Sequence, residues 1–292
     1  MASVASVAIC GRLMRSVSHG KYVALYTVTA PVHYALQQNI VYQRISGDRN
    51  CACKGGRGKI APMPIILAIE TSTELASAAL LRDGQVISRE SAGVQTHSHT
   101  ILPMIQSLLA DAEVNLAQCD ALAFGVGPGS FTGVRTACGI VQGLAFGADL
   151  PVLPIVTLVA MAQACYEAHG AKDVLSVLDA RMGEVYWAQY RYLRDTWQVI
   201  VEPTLSAPVL VAPLGIVQAC GNGLSAYAEQ FADASFAINA QPALMPHARQ
   251  IAQLGLQAFQ QGLGLPASEA QPLYLRNKVA FTTAERAAKV LA

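Results

Sequence analysis

A short apolar run that ends in an acid and opens into a β-hairpin occurs twice in this sequence, and that repeat governs what the chain can fold into. The first copy is Pro64 to Ser72 (PIILAIETS), followed by Ala76 to Arg82 and Gln85 to Glu90 around Asp83-Gly84, a dipeptide that favours the two-residue hairpin turn. The second is Asp173 to Asp179 (DVLSVLD), followed by a turn at Arg181 to Gly183 and strands Glu184 to Leu193 and Trp197 to Glu202 around Arg194-Asp195. Glu70 and Asp179 stand 109 positions apart, too far for a solenoid repeat and the right distance for a duplicated domain. A continuous apolar strand is one buried on both faces, so each copy predicts a central strand with its acid at the carboxyl end. Two stacked copies bring both acids to one cleft between lobes.

The remaining elements alternate. A helix over Ser98 to Val114 carries Ile101, Ile105, Leu108 and Leu109 at helical spacing, with Pro103 expected in its first turn. A strand Ala121 to Val126, a helix Thr132 to Ala148, a strand Val152 to Val156 and a helix Leu158 to His169 follow. Late in the chain, Ile251, Leu254 and Phe259 mark one face of a helix over Met245 to Gln261, and a final short helix starts at Thr283. The fold class is therefore α/β, with lobes at 63–168 and 169–292 and the C-terminal helix returning to the first. The layout resembles the duplicated actin/Hsp70 (ASKHA, RNase H-like) architecture. With 53% hydrophobic and only 13% charged residues, the chain can bury a large core. Its most apolar stretch, Gly139 to Cys165, is interrupted by Gln142, Asp149, Pro151 and Pro154, so no membrane span is expected.

Residues 1–62 differ from the rest. They hold eight Lys or Arg against the single acid Asp48, leaving twelve basic and eighteen acidic residues, a net charge of −6, in 63–292. That bias is the one found in transit peptides, but Val23 to Tyr42 is rich in β-branched and aromatic residues and lacks an Arg-bearing amphipathic face. We read 1–62 as a poorly structured extension outside the fold, with Met63 the natural start. An acidic body is a poor partner for a phosphate backbone. Cys10, Cys51, Cys53, Cys119, Cys138, Cys165 and Cys220 lie mostly in apolar contexts and read as reduced thiols of a cytosolic protein; Cys51 and Cys53 lack zinc spacing.

Between a strand and a helix sits Gly125-Val126-Gly127-Pro128-Gly129-Ser130-Phe131-Thr132-Gly133-Val134-Arg135. Gly127, Gly129, Ser130 and Thr132 could cradle an anion at the helix N-terminus, or form a tight turn with Ser130 or Thr132 as cap; the spacing leaves both open. No Lys follows, so this is not a Walker A loop. Arg135 meets the positive end of the helix dipole and so calls for an anion: Glu70, Asp179 or a ligand. His97 and His99 are two residues apart and diverge on a helix, so no metal site is expected. Glu70-Thr71-Ser72 and Asp179-Ala180-Arg181 lack the glycine that lets a turn approach phosphate. The two acids read as strand-end residues bonded to turn amides or Arg135 sooner than as an acid–base pair. No catalytic residue is assigned.

The runs ILAIETST, HSHTILPMI, GVGPGSFTGVR, LDARMGEVYWA and PLYLR (Pro272 to Arg276) occur in one order, and together they resemble the TsaB (YeaZ) family across 63–292. The resemblance implies a cytoplasmic, non-catalytic paralogue of TsaD. Such a protein binds and supports TsaD and the ATPase TsaE in adding a threonylcarbamoyl group to the adenosine beside the tRNA anticodon. It implies a homodimer when TsaD is absent, tRNA reached only indirectly, and no cofactor of its own, with ATP and Mg at the level of the complex. The contact would lie on the first-lobe helices, with Leu102, Ile105, Gly139, Val141 and Gly143 as candidates. A glycoprotease-like metallopeptidase and an ATP-dependent phosphotransferase of the same fold are the alternatives.

Overall fold

A computed structural model describes residues 63–92 and 97–276. The expectations for 1–62, including Cys10, Cys51 and Cys53, and for a helix from Thr283 lie outside the described residues.

The first sheet is built on β1 (Ile66–Glu70), whose five residues are all buried. It pairs antiparallel with β2 (Leu75–Arg82) and parallel with β4 (Ala121–Gly127). With β3 (Gln85–Ala92) and β5 (Val152–Val156) the order is β3-β2-β1-β4-β5. The second sheet repeats the plan around β6 (Asp173–Asp179). β7 (Val185–Leu193) and β8 (Thr196–Ser206) form its antiparallel hairpin, β9 (Gln218–Cys220) its parallel neighbour, and the order is β8-β7-β6-β9. The duplication is thus visible in four strands of each sheet, down to the hairpin turns, with β5 lacking a counterpart. Asp83 and Gly84 have φ 51° and 75°, and Arg194 and Asp195 have φ 52° and 60°, the left-handed pairs that a two-residue hairpin of matching twist requires.

Five helices complete the described chain: α1 (His97–Asp111), α2 (Phe131–Ala148), α3 (Thr157–His169), the short α4 (Gly223–Ala226) and α5 (Ala248–Gln260). Helices α1 and α2 pack on one face of the first sheet, where Ile101, Ile105 and Leu108 meet Leu67, Phe124 and Val141. Helix α3 sits between the two sheets, and α5 returns to the opposite face of the first, so Leu158, Met161 and Ile251 share one core with Ile66 and Val174. The Ala248 N–H donates to the Ser77 hydroxyl (2.9 Å), seating the start of α5 on β2. Its cap is His247, whose Nδ1 accepts from the Arg249 N–H at 3.0 Å.

Three details differ from the sequence expectation. Pro103 lies inside α1, not in its first turn. The helix expected from Met245 starts at Ala248, because His247 takes an extended, capping conformation. Strand β9 and α4 were not anticipated; three residues and a single turn carry no periodicity to read. Among the described residues, no helix is long and apolar enough to cross a membrane.

Candidate functional site

The glycine-rich run leaves the end of β4 and lies down on the β1–β2 turn. A Cβ on Gly129 would stand 2.5 Å from the Ser72 carbonyl oxygen, and one on Gly133 would stand 1.9 Å from that of Thr71. Only glycine permits that approach. Hydrogen bonds then fix it. The Ser130 N–H donates to Ser72 O (2.7 Å), the Thr71 hydroxyl to Gly133 O (2.7 Å), and the Gly127 N–H to the Thr157 hydroxyl (3.1 Å). Ser130 caps α2, its Oγ accepting from the Gly133 N–H at 3.4 Å and its carbonyl from Val134 at 2.9 Å. The Gly127–Pro128 peptide is cis. Much of the donor set that would face an anion is therefore consumed within the protein. Thr132 is exposed, and its N–H and that of Phe131, at the helix start, have no backbone partner among the described residues.

Glu70 and Asp179 hold equivalent places, and each binds the amide two residues on. Glu70 Oε1 accepts from the Ser72 N–H at 2.6 Å, and Asp179 Oδ1 from the Arg181 N–H at 2.7 Å. Their surroundings differ. Glu70 is fully buried, with Oε2 accepting from the Thr157 hydroxyl at 3.3 Å. Burial raises its carboxyl above the ordinary value of 4.5, against the pull of the Ser72, Thr157 and Thr71 donors. Asp179 is shallower, holding Arg181 Nη1 at 3.2 Å and accepting from the Tyr227 hydroxyl at 3.0 Å.

A cleft of about 590 Å³ opens between the lobes. Ser72 to Glu74, Gly129 to Val134 and Thr136 line it on one side, Asp179 to Met182 and Asn222 on the other. Glu70 does not reach it, so the structure brings one strand-end acid to the cleft and keeps the other inside. Arg181 spans the gap to pair with Glu74. A late segment straps the lobes together: the Leu273 N–H donates to Val126 O (2.8 Å), while Arg276 donates to Ala180 O (3.0 Å) and pairs with Glu184 (2.7 Å).

Arg135 pairs with neither acid. Its Nε donates to the Tyr274 hydroxyl at 2.6 Å, and its guanidinium lies 3.6 Å from the centre of the Phe131 ring. The physical reason is plain: Glu70 is sealed inside, and Asp179 is held by Arg181 two residues away. Phe131, Tyr274, Thr157 and Arg276 were not singled out in the sequence, although the PLYLR run contains two of them. His97 Nε2 shares a hydrogen bond with Thr73 O (2.8 Å), and His99 is exposed. Among the described residues no cluster of His, Cys, Asp and Glu is placed to hold a metal ion, and Cys119, Cys138, Cys165 and Cys220 are free, buried thiols.

The first-lobe helices divide the expected contact residues. Ile105 and Val141 point into the lobe's own core, with 3% and 0% exposure, and are not open to a partner. Leu102 is 42% exposed, and Gly139 and Gly143 lie on the open side of α2, where an added Cβ would meet nothing within 4 Å. Gly147 shares that side, and Phe146 is 85% exposed.

These features define a duplicated two-lobed α/β protein of the actin/Hsp70 type, with a strapped cleft and an open, glycine-bearing helix face. A family model described as TsaD, tRNA N6-adenosine threonylcarbamoyltransferase, matches residues 85–283. Similar curated proteins include the tRNA threonylcarbamoyladenosine biosynthesis protein TsaB of Escherichia coli K12, 38% identical over 222 residues covering 74% of this chain and 96% of the relative. The protein of the same name from Haemophilus influenzae is 41% identical over 227 residues, covering 74% and 95%. Among solved structures, YeaZ from Pseudomonas aeruginosa matches with a TM-score of 0.69 at 38% identity, over 73% of this chain and all of that one. The chain belongs to the TsaB (YeaZ) family.

Proposed function

We propose that this protein serves tRNA threonylcarbamoyladenosine synthesis in the cytoplasm as an association subunit without turnover of its own. It binds the catalytic TsaD and supports it together with TsaE; tRNA, ATP and magnesium are engaged by the complex.

The observation that carries this reading is the open face of α2. Glycine in a helix interior costs about 1 kcal/mol relative to alanine. Gly139, Gly143 and Gly147 recur every fourth residue on one side with no contact among the described residues to require them. Phe146 stands 85% exposed on the same side, and the only charge in the helix is Arg135. A solvated helix face carries charges and good helix formers. A face of glycines and an exposed ring suits close approach by another helix. The net charge of −6 over 63–292 supports placing the tRNA-binding cations on partners.

The test is co-elution with TsaD on gel filtration. A one-to-one complex is expected from the native chain and its loss from Phe146→Glu, whose unfolding curve stays native-like because the side chain touches no core. A variant that still co-elutes at native stoichiometry removes the reading.

A further inference from the structure

One layer of the first lobe has no equal in the second. In the first lobe the long helices α1 and α2 cover the sheet face that carries Leu67 and Phe124. The corresponding face of the second sheet, with Leu175, Val177 and Trp187, lies under Val211, Leu224 and Phe231. Those residues come from a 3-10 segment (Pro208–Leu210) and its cap, the single-turn α4 and the turns around them. Such short segments cannot turn every apolar side chain inward. Val211, Val217 and Ala237 pack on the sheet, whereas Val209, Leu210, Leu214, Ile216 and Ile238 point outward with exposures of 72%, 65%, 60%, 98% and 79%. Large aliphatic side chains gathered in water on one layer mark a surface that another element covers.

The segments that carry these side chains are pinned. Gln189, fully buried on β7, donates Nε2 to Leu214 O (2.8 Å) and accepts the Leu214 N–H on Oε1 (2.7 Å). The Gln218 side chain donates to Asn239 O, tying the strand after Ile216 to the turn after Ile238. Trp187 Nε1 donates to Ser206 Oγ (2.9 Å) just before the 3-10 segment. Little chain entropy is left to lose when a partner settles there. The charges of this layer have one sign. From Pro203 to Pro246 the sequence holds Glu229 and Asp233, both exposed, and no Lys, Arg or His. These two acids flank Phe231, which packs in the same cluster as Val211 and Val217. Arg191, two residues beyond Gln189 on β7, is already paired with Asp173 at 2.6 Å.

We propose that this outer face of the second lobe seats a basic amphipathic helix of a partner protein. The aliphatic stripe of that helix lies on Val209, Leu210, Leu214, Ile216 and Ile238, and its Lys or Arg residues are turned towards Glu229 and Asp233. It supplies the layer that α1 and α2 supply in the first lobe. The acids steer cations to the seat and disfavour both an acidic helix and the anionic surface of a membrane. The seat goes beyond the α2 reading: it lies on the other lobe, so one chain can hold TsaD and this partner at once.

The test is fluorescence anisotropy on the full chain with two labelled amphipathic peptides of about 18 residues, or five helical turns, one built of Leu and Lys and one of Leu and Glu. The Leu/Lys peptide is expected to bind with micromolar affinity, and the Leu/Glu peptide about tenfold or more weaker. No binding of the Leu/Lys peptide at about 100 μM, or equal binding of the two, overturns the proposal. Ile216→Asp combined with Ile238→Asp should weaken Leu/Lys binding about tenfold or more and leave the melting curve native-like, since both side chains stand in water. Added acids strengthen attraction that is driven by charge alone, so equal or tighter binding by this double variant overturns the seat. Phe146→Glu should leave peptide binding unchanged; its loss would put the peptide on α2 and overturn the proposal. Native chain bound to neutral phosphatidylcholine vesicles, and released by the double variant, would make the face a lipid-binding one instead. The double variant should still co-elute with TsaD; if it does not, the face belongs to that contact and the second partner falls.

Discussion

Replacing Gly133 and Gly139 by alanine, in the same helix and only six residues apart, should shift stability in opposite directions. At Gly133 the new methyl group would stand 1.9 Å from the Thr71 carbonyl oxygen, so the start of α2 must lift off the β1–β2 turn. Overpacking of that kind costs about 1–3 kcal/mol. Loosening the two 2.7 Å bonds, Thr71 hydroxyl to Gly133 O and Ser130 N–H to Ser72 O, adds about 1 kcal/mol each. Alanine's better helix propensity returns about 1 kcal/mol. The net loss is about 2–4 kcal/mol, a fall in Tm of about 5–15 °C for a chain of this size. At Gly139 an added Cβ meets nothing within 4 Å, so only the propensity gain remains, a rise of about 2–4 °C. Both should be measured by circular dichroism melts at matched protein concentration. Shifts of the same sign and similar size would refute the claim that one glycine serves the fold and the other a surface.

Two titratable groups, the buried Glu70 and the half-buried His247, give further tests. Burial raises the Glu70 carboxyl above 4.5, so the folded state disfavours its ionised form; its contribution is greatest below that pH and is lost as pH rises through the folded value. Glu70→Gln should therefore gain on the native protein in Tm between pH 5 and pH 8, and an unchanged difference would contradict the assignment. His247 behaves in the opposite sense. Burial lowers it below 6.5, although Glu90 pulls the other way, and its Nδ1 must stay unprotonated to cap α5. The contribution is full above 6.5 and fades as the solution is acidified below it. His247→Ala should cost about 1 kcal/mol at pH 8 and less at pH 5, whereas His247→Asn keeps a cap and removes the pH dependence. The exposed Arg181–Glu74 pair should add little, so Arg181→Ala is expected to leave Tm within about 2 °C of native.

The duplicated architecture was legible because β1 and β6 are central strands, and burial on both faces writes an unbroken apolar run into the sequence. The hairpins were legible for a related reason: left-handed turn pairs restrict residue choice, as Asp83-Gly84 illustrates. The partners of Arg135 were not. Which groups surround a guanidinium depends on how a segment some 140 residues later crosses the cleft, and no local pattern encodes that Tyr274 arrives there. Burial of Glu70 was hidden in the same way, since it follows from Thr157 and Gly125 closing over the strand end. The division of the α1 and α2 residues turned on a finer point. Gly139 and Val141 are two residues apart, which on a helix places them on opposite sides, one open and one in the core.

The most direct measurement is reconstituted transfer of the threonylcarbamoyl group to tRNA by TsaD and TsaE, with this chain present, absent, or carrying Phe146→Glu. Transfer should need the native chain, fall with the variant at matched concentration, and recover as more variant is added. Full transfer with the variant at low concentration, or turnover by this chain alone, would contradict the account.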